Sequence, residues 1–160
     1  MKAGKNEMKN NIPLGEEELR NLEMIVLYHG TNGELVDNIL NKGLLPWNLV
    51  GGHNWDMLGG DMFGFYTPKI NCVYLATFDR ALEYANYLVQ DGVSKDVVVI
   101  ELEVDTKRLL PDEDSNEKTW SESFLKVGCC AHKGIIDPGK IKRIYGADKR
   151  IVYQRNNVAT

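Results

Sequence analysis

Ile25 to Pro46 reads IVLYHGTNGELVDNILNKGLLP, and the reading of this stretch decides the fold. Ile25, Val26 and Leu27 are β-branched or aliphatic and suit a buried strand. Thr31 and Glu34 have the spacing of a capping box, so a helix is predicted to start there. Leu35, Val36, Ile39 and Leu40 then fall on one helical face. Gly43 stands where a left-handed residue ends a helix, and Pro46 prevents its resumption. This reading puts His29 and Gly30 in a strand-to-helix corner. Such a corner combines an imidazole, an approachable backbone and helix N–H groups, which suits a polar ligand bearing a carboxamide or a phosphate.

The totals set the class. A chain of 160 residues, 43% hydrophobic and 26% charged, is long enough for one domain with a real core. No apolar run approaches the length of a bilayer span, and the polar start MKAGKNEMKNNIPLGEEE has no signal-peptide h-region. A cytoplasmic protein is expected, or an effector delivered without a classical signal, and no membrane partner. A net charge of −4 argues against a nonspecific nucleic-acid coat but leaves room for a local basic groove. Three cysteines, Cys72, Cys129 and Cys130, form no CxxC pair, and His29, His53 and His132 form no HExxH pattern. Neither a disulfide framework nor a metal site is indicated.

Residues 1–23 read as a flexible polar arm, with a short helical turn over Glu16 to Leu22, and residues 155–160 as a polar tail; one domain spans 24–154. Residues 47–71 carry five glycines among Trp47, Trp55, Phe63, Phe65 and Tyr66, a long loop able to fold over a flat ring or to pack beneath itself. Cys72–Ala76 reads as a strand, and FDRALEYANYLVQ after Thr77 as an amphipathic helix ended by Gly92. Asp96–Val104 alternates as a central strand, with Glu101 and Glu103 expected on a solvated face. Asp112, Glu113 and Asp114 read as a solvated acidic loop rather than a cation site. Phe124–His132 is predicted as a strand, followed by a DPG turn and short strands over Ile141–Tyr145 and Arg150–Gln154. Two early helices and late strands make the class α+β.

Three segments carry a resemblance: YHGT at Tyr28–Thr31, NILNKGLLP at Asn38–Pro46 and VYLATFDRALEYA at Val73–Ala85, with GIIDPGKIKRI at Gly134–Ile144 as a weaker fourth. In this order they resemble the ADP-ribosyltransferase-like superfamily, which includes the poly-ADP-ribose polymerases and the RNA 2′-phosphotransferases. The resemblance implies one domain of split, antiparallel-rich β-sheets flanked by two early helices, with NAD as substrate. It implies that His29 bonds the adenine-side ribose, that Gly30 holds the nicotinamide carboxamide by its backbone, and that Thr31 supports the dinucleotide. Tyr74 would stack on nicotinamide and Tyr84 complete the aromatic wall. The family's third element is a Glu on a late strand; Gly128–His132 has no carboxylate, and the nearest candidate is Glu122 in WSESF. The implied activity is transfer of ADP-ribose to a macromolecular acceptor, protein or nucleic acid, as in a bacterial or phage effector. The alternatives are an NAD-using RNA 2′-phosphotransferase and a catalytically inactive binding module of the same fold. The 2′-phosphotransferase reading lacks the family's Arg-rich grip.

Overall fold

The structure is a computed structural model that describes residues 15–46, 71–92 and 95–155. The loop candidates Trp47, His53, Trp55, Phe63, Phe65 and Tyr66 lie outside the described residues. The chain order is α1 (Glu16–Arg20), β1 (Met24–Asn32), α2 (Val36–Lys42), β2 (Cys72–Ala76), α3 (Phe78–Gln90), β3 (Val97–Asp105), β4 (Leu109–Pro111), α4 (Trp120–Val127), β5 (Cys129–Lys133), β6 (Ile141–Gly146) and β7 (Ile151–Gln154).

Every ladder among these strands is antiparallel, and the seven form a sheet in the order β4-β5-β2-β1-β3-β6-β7. The α+β expectation holds at this level. β1 and β3 pair along their whole length, Met24 opposite Asp105 to Asn32 opposite Val97. β1 and β2 meet in register at a single pair, Tyr28 opposite Ala76. The sheet is therefore continuous but joined at one point between a β4-β5-β2 part and a β1-β3-β6-β7 part.

Strand alternation gives the sheet two faces. Leu27 of β1, Ile100, Leu102 and Val104 of β3, Val73 and Leu75 of β2, Cys130 of β5 and Ile144 of β6 build the main core. Leu19 of α1, Ile39 of α2 and Trp120 of α4 close over it. Tyr28, Gly30 and Val99 face the other way, under α3, whose Ala81 packs with Val99 and Ala76. Thr77 caps α3 by accepting a hydrogen bond from the Arg80 N–H at 3.3 Å.

Several sequence expectations change here. β1 runs on through His29, Gly30 and Thr31, so these residues lie inside a strand and not at its corner. The cap is Asn32, not Thr31: its side chain accepts from the Glu34 N–H at 2.9 Å and opens a 3-10 turn, Gly33–Leu35, ahead of α2. A short Asn oxygen makes this local turn without needing the helical reach of a Thr–Glu box. Gly43 does end α2, at a φ of 88°, and any Cβ there would meet the Ile136 carbonyl oxygen at 2.1 Å. Packing begins at α1, within the span read as an arm: Leu19 is buried, and the Thr106 hydroxyl donates to the Leu22 carbonyl at 2.6 Å.

The predicted strand over Phe124–His132 is helix in its first half and strand in its second. α4 occupies Trp120–Val127, ends at Gly128 in the left-handed conformation (φ 77°), and leaves β5 only Cys129–Lys133. Thr119 caps α4 by accepting from the Glu122 N–H at 3.1 Å. Glu101, expected on a solvated face, is only 4% exposed. Its carboxylate accepts from the Tyr145 hydroxyl at 2.8 Å and from the Arg143 guanidinium at 3.2 Å, partners the aligned strands β3 and β6 supply. Burial and this carboxylate push the Tyr28 phenol up to about 12.

His132, on β5, is buried and its Nδ1 lies 3.2 Å from the Gly134 carbonyl. Burial holds its pKa below the ordinary 6.5. A depressed imidazole stabilises the fold above about pH 6.5 and loses that contribution as pH falls through the unfolded value. The urea midpoint is expected to drop between pH 7 and pH 5, less steeply in His132→Gln. An equal slope in both proteins would remove His132 as the cause.

Candidate active site

The place where β1 and β2 part gathers the chemistry. After the Tyr28–Ala76 pair the strands separate, leaving Gly30 and Tyr74 beyond the ladder. The Gly33 N–H donates to the Asp96 carbonyl at 2.9 Å, continuing the β1–β3 register. Antiparallel ladders alternate, so the odd-numbered peptides of β1 bond to β3 and the even-numbered ones face β2. The Gly30 N–H and C=O therefore point towards the parting.

His29 spans that parting. Its Nδ1 lies 2.8 Å from the Tyr74 carbonyl oxygen, and since a carbonyl only accepts, the proton sits on Nδ1. In the neutral ring Nε2 is then an acceptor. The Tyr74 side chain leaves its strand on the opposite face from Val73 and Leu75, which lie in the main core. The Tyr74 hydroxyl donates to Glu113 Oε2 at 2.6 Å, a short, charge-assisted bond. Glu113 Oε1 is buried and makes no hydrogen bond. A buried carboxylate oxygen without a donor costs about 1–3 kcal/mol and calls for an explanation.

The segment carrying Glu113 is a built turn rather than a solvated loop. Asp112 caps the 3-10 turn Glu113–Ser115 by accepting from the Asp114 N–H at 2.9 Å. The Ser115 hydroxyl donates to the Asp112 carbonyl at 2.6 Å, and the Asp112 N–H donates to the Ser123 hydroxyl oxygen at 2.9 Å. The Ser123 hydroxyl in turn donates to the Cys129 carbonyl at 2.7 Å, tying the turn to β5. Glu113 was not a sequence candidate because its partner stands 39 residues away, and a D-E-D run carries no local sign of burial.

The remaining candidates are distributed as follows. Gly30 has its Cα face covered: a Cβ there would lie 2.0 Å from the Ala81 carbonyl oxygen, so α3 is seated on the glycine. Thr31 is 2% exposed and stands opposite Val98 within the sheet. Tyr84 packs with Ala85, Leu88 and Val97 beneath α3, and burial pushes its phenol far up. By strand parity it belongs to the Gly30 face, not to the face of the His29 ring. Glu122 is not on a strand: it sits in the first turn of α4, where its Oε1 accepts from the Thr119 hydroxyl at 3.0 Å. The Thr119–Glu122 spacing is itself a capping-box signature, legible in T-W-S-E.

The structure thus joins His29, Tyr74 and Glu113, and sets Glu122 in a helix cap. Burial raises the Cys129 thiol to about 11 and the Cys130 thiol further, so neither is a ready nucleophile at neutral pH. Among the described residues no cluster of His, Cys, Asp and Glu is arranged to hold a metal ion, and no helix is long and apolar enough to cross a membrane. No family model matches the chain, and neither does any curated protein.

Proposed function

We propose that the protein is an NAD-dependent ADP-ribosyltransferase that cleaves the nicotinamide–ribose bond and transfers ADP-ribose to a macromolecular acceptor. The observation that carries this reading is the pair of bonds at Tyr74, His29 Nδ1 to its carbonyl and its hydroxyl to Glu113, whose other carboxylate oxygen is buried with no donor. It lies where β1 and β2 part and where the Gly30 peptide groups are aimed. A ligand touching both the imidazole and the phenol must lie along that parting, because the two rings leave their strands on opposite faces.

The chemistry suits these groups. A peptide N–H and C=O pair matches a carboxamide, so Gly30 would hold the nicotinamide end. His29 Nε2, as an acceptor, would take a ribose hydroxyl, and Tyr74 would offer the aromatic surface. Departure of nicotinamide leaves an oxocarbenium-like ribose. A carboxylate fixed beside it, in a site of low dielectric, stabilises the developing positive charge. Glu113 supplies that carboxylate better than Glu122, whose carboxylate is engaged in its own helix cap. Thr31 supports the strand beneath the site, and Tyr84 supports α3.

The test incubates the pure chain with NAD labelled in the adenylate part, alone and with cell protein, RNA and DNA. Released nicotinamide and label on each fraction are followed. Label transfer is expected, and His29→Ala should weaken NAD binding about tenfold or more, a lost hydrogen bond to a polar ligand being worth that much. NAD binding without turnover would overturn the reading in favour of a non-catalytic module. Absence of both binding and turnover would overturn the NAD site itself.

A further inference from the structure

The charge of the chain is unevenly placed. From Lys140 to Arg155 there are six of the 19 basic residues and one of the 23 acidic ones, a net charge of +5. The rest of the chain, with 13 basic and 22 acidic residues, carries −9. A basic segment inside an acidic protein marks a local partner, since the global field repels anions and only the local one attracts them.

The fold gathers this segment around a groove. A hollow of about 310 Å³ is lined by Glu103, Lys140, Lys142, Arg143, Gln154 and Arg155, and by Met24. Met24 and Glu103 belong to the sheet face that α3 covers at its other end, as does Arg143, which stands opposite Glu101 and Gln154. At this end the face is open: Met24 is 37% and Val26 39% exposed. The groove's charge is only partly neutralised within the protein. Lys142 reaches Glu103 at 3.4 Å, a long, half-exposed pair worth little. Arg143 is shared with Glu101. Arg155 is fixed by carbonyls, donating to Ile141 at 2.9 Å and Pro138 at 2.6 Å, and neither it nor Lys140 has a carboxylate partner among the described residues. Arg155 is thus positioned, still charged, at the groove.

We infer that this groove binds the phosphate backbone of single-stranded nucleic acid. Concave shape and charge favour it. A flexible strand can follow a cationic groove across an open sheet, whereas a duplex asks for an element that projects into its own groove. A membrane surface would call for a projecting rather than a hollow basic patch. Binding at the groove stands independently of the NAD reading. That the bound strand is the acceptor rests on that reading: Met24 and Gly30 lie on one face of β1, roughly 20 Å apart at about 3.4 Å per residue.

The experiment is fluorescence anisotropy with 5′-labelled 20-nucleotide oligo-dT and oligo-U, using the full chain without NAD, at 50 to 200 mM NaCl. Binding is expected to weaken with salt. The double variant Lys140→Ala/Lys142→Ala should lose about tenfold in affinity, and its salt slope should be shallower by about 1.4, since each phosphate contact on a single strand contributes about 0.7. Lys107→Ala/Lys118→Ala removes the same charge elsewhere and should bind like the parent. No binding at 50 mM NaCl would overturn the inference, and so would equal losses in both variants. Preference for phosphatidylserine vesicles over the oligonucleotides would overturn it too. Because no NAD is present, these outcomes are separate from failure of the transferase reading.

Discussion

Gly30→Ala is expected to destabilise the fold by about 3 kcal/mol, the upper part of the usual range for overpacking a tight core. The thermal midpoint should fall by roughly 6–12 °C for a chain of this size. The cause is a backbone contact. The new Cβ would lie 2.0 Å from the Ala81 carbonyl oxygen, 3.0 Å from its carbon and 3.1 Å from the Ala85 Cβ. A carbonyl in the first turn of α3 is backbone and cannot rotate away as a side chain can, so this end of the helix must lift from β1. Lifting α3 also exposes Ala81, Ala85 and Leu88, which are buried beneath it. Circular dichroism during heating measures the effect. An unchanged midpoint with lost NAD binding would mean that Gly30 serves a ligand and not the helix.

Glu113→Gln is expected to slow nicotinamide release by about 10²–10³, the size of effect seen when one preorganised charge-stabilising group is removed. The amide keeps the shape and can still accept from the Tyr74 hydroxyl, which lies 2.6 Å from Oε2, so the thermal midpoint should hold. Glu122→Gln is the matched comparison. Its carboxylate closes the Thr119 cap of α4, and its loss should lower stability by a fraction of a kcal/mol to about 1 kcal/mol without touching the rate. Rates from both variants, with melting curves alongside, decide the matter. A rate lost in Glu122→Gln and kept in Glu113→Gln would reverse the assignment.

The two carboxylates show how legible the candidate site was. Glu122 stood out because it is near the late strand in sequence. Its true setting was also written locally, in the Thr119–Glu122 spacing, but the β-prone run around Cys129 and Cys130 drew the strand too far back. Glu113 had no such local sign. Only the sheet order β4-β5-β2 brings the turn after β4 within reach of Tyr74. His29 and Tyr74 were readable as candidates, but not their link, since the Nδ1–carbonyl bond depends on β1 and β2 parting after one pair.

The sequence by itself determined the local elements of this protein. Period-two alternation specified β2 and β3, a 3.6-residue stripe specified α3, and a residue without a Cβ was required at Gly43, because each of these signals acts within a few residues along the chain. The tertiary structure decided what depends on neighbours distant in sequence. Glu101 is buried because Tyr145 and Arg143, more than 40 residues on, satisfy its carboxylate. Gly30 lies beneath a helix because α3 crosses β1. A basic groove forms because β6, β7 and the start of β1 meet at one end of the sheet. Alternation along one strand states which residues share a face; what covers that face is settled only when the other strands and helices arrive.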